Sequence, residues 1–158
     1  MIALFHGNEL CEVDGEGQVA LPAFLAEALD SAATDLLVGR HDSEPCLIGY
    51  GRDHLEALAA RTEARRLADE TRGEDARAHY RRMRRTFGLV DKLPRANARL
   101  RIPAAMRHLG RIERLALFVG AGDSFEIWNP ALALTSGDEQ FRDLAAWRLQ
   151  ARGSQGVH

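Results

Sequence analysis

The sequence predicts a β-rich α+β fold made of two copies of one small unit. A segment near the start of the chain recurs in its second half with the same order of features. Both segments contain short β-prone runs beside turn-forming residues, a pattern typical of paired strands. Between them lies a stretch rich in Ala, Leu, Glu and Arg, which favour helices. These observations predict duplicated four-stranded units with added helices.

The duplication rests on identities in one register. Pro22-Ala23 recurs as Pro103-Ala104. Two further dipeptides recur at the same shift, Val38-Gly39 as Val119-Gly120 and Asp42-Ser43 as Asp123-Ser124. Self-similarity at a fixed spacing is typical of repeated structural units. Because small four-stranded units bury little core alone, the two copies are predicted to interlock.

The first copy is predicted to run strand, strand, short helix, strand, strand. Asp14-Gly15-Glu16 forms a hairpin turn between the first two strands. Pro22 suits the first helical position, where its missing N–H needs no partner, and apolar spacing continues the helix to about Leu29. The strands are expected at Glu9–Val13, Gly17–Leu21, Asp35–Val38 and Cys46–Ile48.

The second copy is predicted to repeat this order. Its helix is expected from Pro103 to about Leu109. Its strands are expected at Gly88–Leu93, Arg99–Ile102, Leu115–Val119 and Phe125–Trp128. Gly120-Ala121-Gly122 is interpreted as a hairpin turn, because neither a third glycine nor a helix follows to make a dinucleotide fingerprint.

Two helices are predicted between the copies. Asp53–Ala68 consists mostly of strong helix formers. Thr71 and Glu74 have the spacing of a capping box, which would open a second helix running to about Thr86.

A last helix is predicted after the second copy. Ser136 and Glu139 have the same capping spacing, and the helix would run to about Ala151. The tail from Gly153 to His158 is expected to be disordered. The predicted domains are a first repeat at 8–53, a helical insert at 54–86, a second repeat at 87–132, and a C-terminal helix with tail at 133–158.

The composition indicates a globular, cytoplasmic protein. Of its 158 residues, 46% are hydrophobic and 28% are charged. No apolar run approaches the roughly 20 residues that cross a bilayer, and Met1 to Gly7 lacks the features of a secretory signal. Cys11 and Cys46 are expected to be reduced, buried thiols. Their spacing to His6 and His41 matches no closed zinc pattern, so no metal is predicted.

The charge is unevenly distributed along the chain. Residues 1–60 carry 2 basic and 11 acidic side chains, whereas residues 61–101 carry 13 basic and 6 acidic ones. The basic segment 61–101 can create a local anion-binding surface although the net charge of the chain is only −2. The alternative is that the acidic and basic blocks pair with each other, within one chain or between subunits.

Two turns and a closing segment carry a family resemblance. The first turn reads Asp14-Gly15-Glu16-Gly17-Gln18 ahead of Pro22, the second reads Arg95-Ala96-Asn97-Ala98-Arg99 ahead of Pro103, and residues 119–128 close the second copy. In these features, from about Phe5 to Leu149, the chain resembles the MraZ family. That family has an Asp…Gly-Arg turn followed by an alternating strand and Pro, present twice.

The resemblance implies a particular architecture and function. The fold would be two AbrB-like swapped-hairpin units forming a pseudo-two-fold barrel. The protein would assemble as a homo-oligomeric ring and bind double-stranded promoter DNA near cell-division and cell-wall genes. It would be cytoplasmic and nucleoid-associated, with no cofactor, membrane partner or small-molecule substrate.

The two turns match the family pattern to different extents. In the first turn Asp14 and Gly17 match the family, but Glu16 replaces the usual Lys and Gln18 the usual Arg. This acidic turn is expected to contact DNA weakly, because phosphate binding depends on cations. In the second turn Arg99 matches the family Arg, whereas Arg95 occupies the Asp position and Ala98 the Gly position. The predicted DNA-binding residues are Lys92, Arg95, Arg99 and Arg101, with a solvated, salt-bridged strand face as the alternative.

A second basic run leaves two interpretations open. Arg81, Arg82, Arg84 and Arg85 would spread around a helix, which favours a solvated or salt-bridged surface over a stripe for DNA.

Three other functions are alternatives to DNA binding. A degenerate family member could assemble as a ring, bind DNA weakly and act as a structural or partner subunit. A purely structural ring is the second alternative. The third, an enzyme, is not predicted, because Ser43 and Ser124 lack the context of a nucleophile and no paired carboxylates stand out.

Overall fold

The computed structural model describes residues 4–29, 35–73 and 75–155. The strands in these ranges are β1 (Asn8–Glu12), β2 (Gln18–Ala20), β3 (Leu36–Arg40), β4 (Leu47–Tyr50), β5 (Val90–Leu93), β6 (Arg95–Ala96), β7 (Arg99–Arg101), β8 (Leu115–Gly120) and β9 (Phe125–Trp128). The helices are α1 (Ala23–Leu29), α2 (Arg52–Thr71), α3 (Ala76–Met83), α4 (Ala104–Gly110), α5 (Pro130–Ala133) and α6 (Glu139–Gln155), with a π-helical turn at Arg84–Gly88. The predicted β-rich α+β class is confirmed.

The strands form two antiparallel sheets in which the copies exchange partners. The larger sheet has the order β1-β8-β9-β4-β3-β5, and the smaller has the order β2-β7-β6. In the larger sheet the first strand of each copy pairs with the third strand of the other, so Leu10 lies opposite Leu117 and Leu93 opposite Leu36. The strand order therefore has an approximate two-fold symmetry between β4 and β9. Closure of the sheets into a barrel stays a prediction.

Two reciprocal hydrogen bonds join the copies at their turns. The Leu21 N–H donates to the Ala98 carbonyl, and the Ile102 N–H donates to the Gly17 carbonyl, each at 2.9 Å. The two donors occupy equivalent positions in the sequence repeat, and so do the two acceptors. The bonds therefore follow the same symmetry as the strand order.

The main core lies between the larger sheet, helices α1 and α4, and the smaller sheet. Leu25 of α1 and Met106 of α4 pack with strand residues such as Val38 and Phe118. Pro22 and Pro103 lie directly before the two helices, one residue ahead of the first helical position that the sequence predicts for them. The Pro22 carbonyl accepts the N–H groups of Leu25 and Ala26, and the Pro103 carbonyl accepts the N–H of Arg107.

The opposite face of the larger sheet is covered by α5 and α6. Trp128 packs edge-on against Phe141 with ring centroids 4.9 Å apart, in a cluster that includes Cys46. Cys11 belongs to the main core instead, so the two buried cysteines lie in different clusters. Helix α5 was not predicted from the sequence.

The C-terminal helix is longer than the sequence predicts. Helix α6 continues to Gln155, so the prediction of disorder from Gly153 is wrong for the described part of the tail. Its last turns are held against β1, because Arg152 forms an ion pair with Glu12 at 2.7 Å and Arg148 donates to the Asn8 side chain at 2.9 Å. Residues 156–158 lie outside the described residues.

The second helix of the insert begins differently from the prediction. Thr71 is the last residue of α2, and its hydroxyl donates to the Leu67 carbonyl at 2.9 Å. Asp75 caps α3 by accepting the Arg77 N–H at 3.0 Å. The predicted capping box is therefore wrong, and its Glu74 lies outside the described residues. A threonine hydroxyl can bond back to its own helix as readily as cap the next one.

The basic run 81–85 is divided between two elements. Arg81 and Arg82 lie in the last turn of α3, whereas Arg84 and Arg85 lie in the π-helical turn. Arg82 forms an ion pair with Asp69 of α2, which joins the two helices of the insert.

None of the helices in the described ranges combines the length and apolar character needed to cross a bilayer.

Candidate nucleic-acid interface

The smaller sheet presents two arginines on one exposed face. Val19 and Leu100 lie opposite each other and are 1% exposed, so they point into the core. Because side chains alternate along a strand, their neighbours point outward. Gln18 lies opposite Arg101, and Ala20 lies opposite Arg99. We call these four outward residues (Gln18, Ala20, Arg99 and Arg101) the arginine face.

The second turn ends the hairpin that carries this face. Asn97 and Ala98 have φ angles of 54° and 62°, which is the left-handed geometry of a two-residue hairpin turn. Strand β6, which the sequence did not predict, precedes the turn and places Arg95 opposite Leu100. Arg95 is exposed at the sheet edge, but it is not in register with Arg99 and Arg101.

Lys92 lies still farther from this arrangement. It belongs to β5 in the larger sheet, where it is exposed and lies opposite Leu37. Of the four predicted DNA-binding residues, the structure brings Arg99 and Arg101 together on one face and places Arg95 and Lys92 outside it.

The first turn uses its acidic residue to hold its own backbone. The Asp14 carboxylate accepts the N–H groups of Glu16 and Gln18 at 2.9 and 2.8 Å. Gly17 has a φ of 85°, and a Cβ atom there would lie 2.5 Å from the Ile102 carbonyl. Asp14 and Gly17 are therefore needed for the shape of the turn, whereas Glu16 is exposed.

Arg107 supports the first turn from the second copy. Its Nε donates to the Ile102 carbonyl at 3.0 Å, and one terminal nitrogen reaches the Gly15 carbonyl at 3.5 Å. This contact was not predicted from the sequence, because no local pattern links an arginine of the second copy to a turn of the first.

The electrostatic surroundings of Arg99 differ between the two grooves that it lines. Arg99 lines one groove with Arg95, Asn97 and Arg101, and a second groove that includes the acidic Glu9, Glu12 and Asp14. Within the described part of the chain, neither Arg99 nor Arg101 has an ion-pair partner or a side-chain hydrogen bond. Both guanidinium groups therefore remain able to bind an anion, and the side of the second turn is the more favourable approach.

The two cysteines are buried thiols, as the sequence predicts. Burial raises the pKa of the Cys11 thiol to about 12, with the neighbouring Glu9 carboxylate adding to the effect. Burial likewise raises the pKa of Cys46. At neutral pH both side chains are thiols rather than the thiolates that bind metals or react as nucleophiles.

Similarity to known proteins agrees with the predicted family. The chain is 33% identical over 131 residues to the transcriptional regulator MraZ of Rhodospirillum rubrum, covering 80% of this chain and 79% of that protein. The MraZ regulator of Chromobacterium violaceum is 32% identical over 127 residues, with 80% and 81% covered. That of Pseudomonas putida is 26% identical over 129 residues, with 80% of each covered.

A scan against family sequence models found no match. The relatives are sufficient without one, since the Rhodospirillum and Chromobacterium proteins share about a third of their residues with this chain over most of both lengths. The chain belongs to the MraZ family.

Proposed function

We propose that the protein is a DNA-binding transcriptional regulator that contacts double-stranded DNA through the arginine face. Its relatives are named transcriptional regulators. The observation that carries the proposal for this chain is the pair Arg99 and Arg101, exposed side by side and without partners among the described residues.

The chemistry of arginine suits this role. A guanidinium group can hold a phosphate through two parallel hydrogen bonds or reach the O6 and N7 atoms of guanine. A two-stranded β-ribbon fits the major groove of B-DNA. The β6–β7 hairpin, with Arg99 and Arg101 on one face, has the form of such a ribbon.

We infer that DNA contact is unequal between the two copies. The first turn offers Glu16 and Gln18 where the family pattern has cations, and its Asp14 carboxylate is already bonded to the turn backbone. The acidic groove beside Arg99 adds to the repulsion of phosphate. Arg95 and Lys92 are assigned a secondary role, in which they attract DNA without sharing the face of Arg99.

We propose further that the target is a promoter of cell-division and cell-wall genes, and that the protein is a nucleoid-associated, ring-like homo-oligomer of the cytoplasm. Assembly is supported by apolar side chains that remain exposed on the helices. Leu67 and Tyr80 of the insert are 52% and 66% exposed, and Trp147 of α6 is 59% exposed.

The test is a titration with the protein's own promoter region at two salt concentrations. Arg99→Ala is expected to weaken binding and to reduce the slope of log affinity against log salt by about 0.9 for each phosphate interaction removed. Arg77→Ala is the matched control, since Arg77 is exposed on α3 and away from the arginine face. Unchanged binding in Arg99→Ala would place the DNA surface elsewhere and favour a member that assembles but binds DNA weakly.

A further inference from the structure

A groove lies between the helical insert and the larger sheet, away from the arginine face. It has a volume of about 300 Å³, within the range of small-molecule sites. It is lined by strands β3, β4 and β5, the β3–β4 turn, the first half of α2, the π-helical turn and the β8–β9 turn. Both copies and the insert therefore contribute to it. We call it the insert groove.

Two arginines at the insert groove are available to bind an anion. Arg61 of α2 and Arg85 of the π-helical turn line the groove and its continuation along α2. Among the described residues neither has an ion pair or a side-chain hydrogen bond. Some other insert arginines are paired, such as Arg66, which pairs with Glu70 at 2.7 Å.

Arg61 and Arg85 line the same groove and its continuation along α2. Two cations brought together repel each other, and the repulsion increases in a concave site from which water is partly excluded. A bound anion would remove the repulsion and accept hydrogen bonds from both guanidinium groups.

The floor of the insert groove contains a buried histidine with unmet hydrogen-bonding capacity. His54 is 7% exposed, and its Nε2 has no hydrogen-bond partner in the described ranges. Its Nδ1 lies 3.0 Å from the Asp123 carboxylate, which is within ion-pair distance. The Tyr50 ring lies beside it, with centroids 4.8 Å apart, and Ser124 is 6% exposed. A buried polar group without a hydrogen-bond partner is uncommon, which is consistent with a bound ligand supplying the partner.

The lining of the insert groove carries side chains of both charges, and Asp42 accompanies Arg61 and Arg85 in the continuation along α2. Arg61 and Arg85 favour a phosphate, whereas the carboxylates of Asp42 and Asp123 on the same lining favour hydroxyl or amino donors. A ligand that carries both kinds of group satisfies the whole lining. The backbone of a DNA duplex does not, because it carries phosphates without donors and is too wide to reach His54 at the floor.

We propose that the insert groove binds a phosphorylated small molecule with hydroxyl or amino groups, of the size of a nucleotide, as an effector of this protein. The phosphates bind at Arg61 and Arg85, and the donor groups bind toward Asp42 and Asp123. Because the lining comes from both copies and the insert, an occupied groove fixes the insert against the larger sheet. This site is additional to the proposed DNA surface.

The test uses the full chain with two probes, ATP without magnesium and inorganic pyrophosphate. Calorimetry is expected to detect binding of both, and thermal unfolding is expected to shift upward because a ligand stabilises the state that binds it. Sodium chloride at the same ionic strength controls for general screening. Arg61→Gln and Arg85→Gln should each weaken binding by at least about tenfold, the effect of losing a charge-assisted hydrogen bond.

Arg81→Gln is the matched control, since Arg81 is equally exposed but does not line the groove. It should leave affinity for both probes unchanged. An equal loss in this control, or no binding of either probe at millimolar concentration, would overturn the proposal. The proposal would also be overturned if the protein bound random duplex DNA, if Arg61→Gln abolished that binding, and if ATP did not affect it. Arg99→Ala should retain ATP binding, which separates this site from the proposed DNA surface.

Discussion

Ala98 adopts a left-handed backbone conformation at the position where the family turn has glycine. Its φ is 62°, and its carbonyl accepts the Leu21 N–H in the same way that the Gly17 carbonyl accepts the Ile102 N–H. An alanine Cβ is strained in this region, at a cost of about 1–2 kcal/mol. The chain therefore keeps the geometry of the family turn without its preferred residue.

Ala98→Gly is expected to stabilise the protein. Relief of the strain is partly offset by the greater freedom of glycine in the unfolded chain, so a net gain of about 0.5–1 kcal/mol is expected in the free energy of unfolding. Chemical denaturation measures this directly. Ala96→Gly is the control, because Ala96 is exposed in β6 and has no positive φ, and it should lose about 0.5–1 kcal/mol instead.

The first turn allows a test of charge at single positions. Gln18 lies opposite Arg101 on the arginine face and Glu16 is exposed beside it, so Glu16→Lys with Gln18→Arg adds two cations to the proposed surface. Promoter binding is expected to tighten several-fold, with the salt slope steeper by about 0.9 for each new phosphate contact. Glu139→Lys with Gln140→Arg makes the same charge change on α6. An equal gain in that variant would mean that only net charge matters.

At the scale of elements, the two hairpins do not follow the sequence repeat strictly. The repeat aligns Val38 with Val119, but Val38 packs in the main core whereas Val119 packs under α5 and α6. Phe118 is the residue that shares the core with Val38. A one-residue offset reverses which side chains face the core, so burial selects the register over local identity.

Helix α6 acts as a cover for one face of the larger sheet. Phe141→Ala removes the ring that packs on Trp128, and α6 should then separate more readily from the cluster that contains Cys46. We expect the rate of Cys46 alkylation in the native protein to rise by about tenfold, corresponding to a local loss of about 1.4 kcal/mol. Cys11 lies in the other cluster and serves as an internal control. Equal acceleration at both cysteines would indicate global unfolding instead.

At the scale of the whole molecule, neither copy contains all of its own pairing partners. Among the described strands of the first copy, only β3 and β4 pair with each other. Strands β1, β2 and β3 pair with β8, β7 and β5 of the second copy, respectively. Each copy therefore depends on the other for backbone hydrogen bonds as well as for apolar contacts. The division of the chain at residues 53, 86 and 132 stays a prediction.

A fragment of residues 8–53 is expected to have no folded monomeric state. Its unpaired strands expose backbone groups and apolar faces that the second copy normally covers. Circular dichroism with light scattering tests this, and any folded species should be a dimer in which a second fragment takes the place of the second copy. A monomeric fragment with a cooperative unfolding transition would contradict the exchange of strands.

Local sequence patterns predict the fold class, the duplication, the positions of most strands and helices, and the shared face of Arg99 and Arg101. These depend on alternation, helical spacing and turn residues, which act over a few neighbours along the chain. Local patterns do not predict which strands of the two copies pair, or that Arg95 and Lys92 lie apart from Arg99. Nor do they predict that Arg107 supports the first turn, or that Arg61, Arg85 and Asp123 line one groove. Such contacts join residues far apart in sequence, and they follow from burying the apolar faces of both copies together.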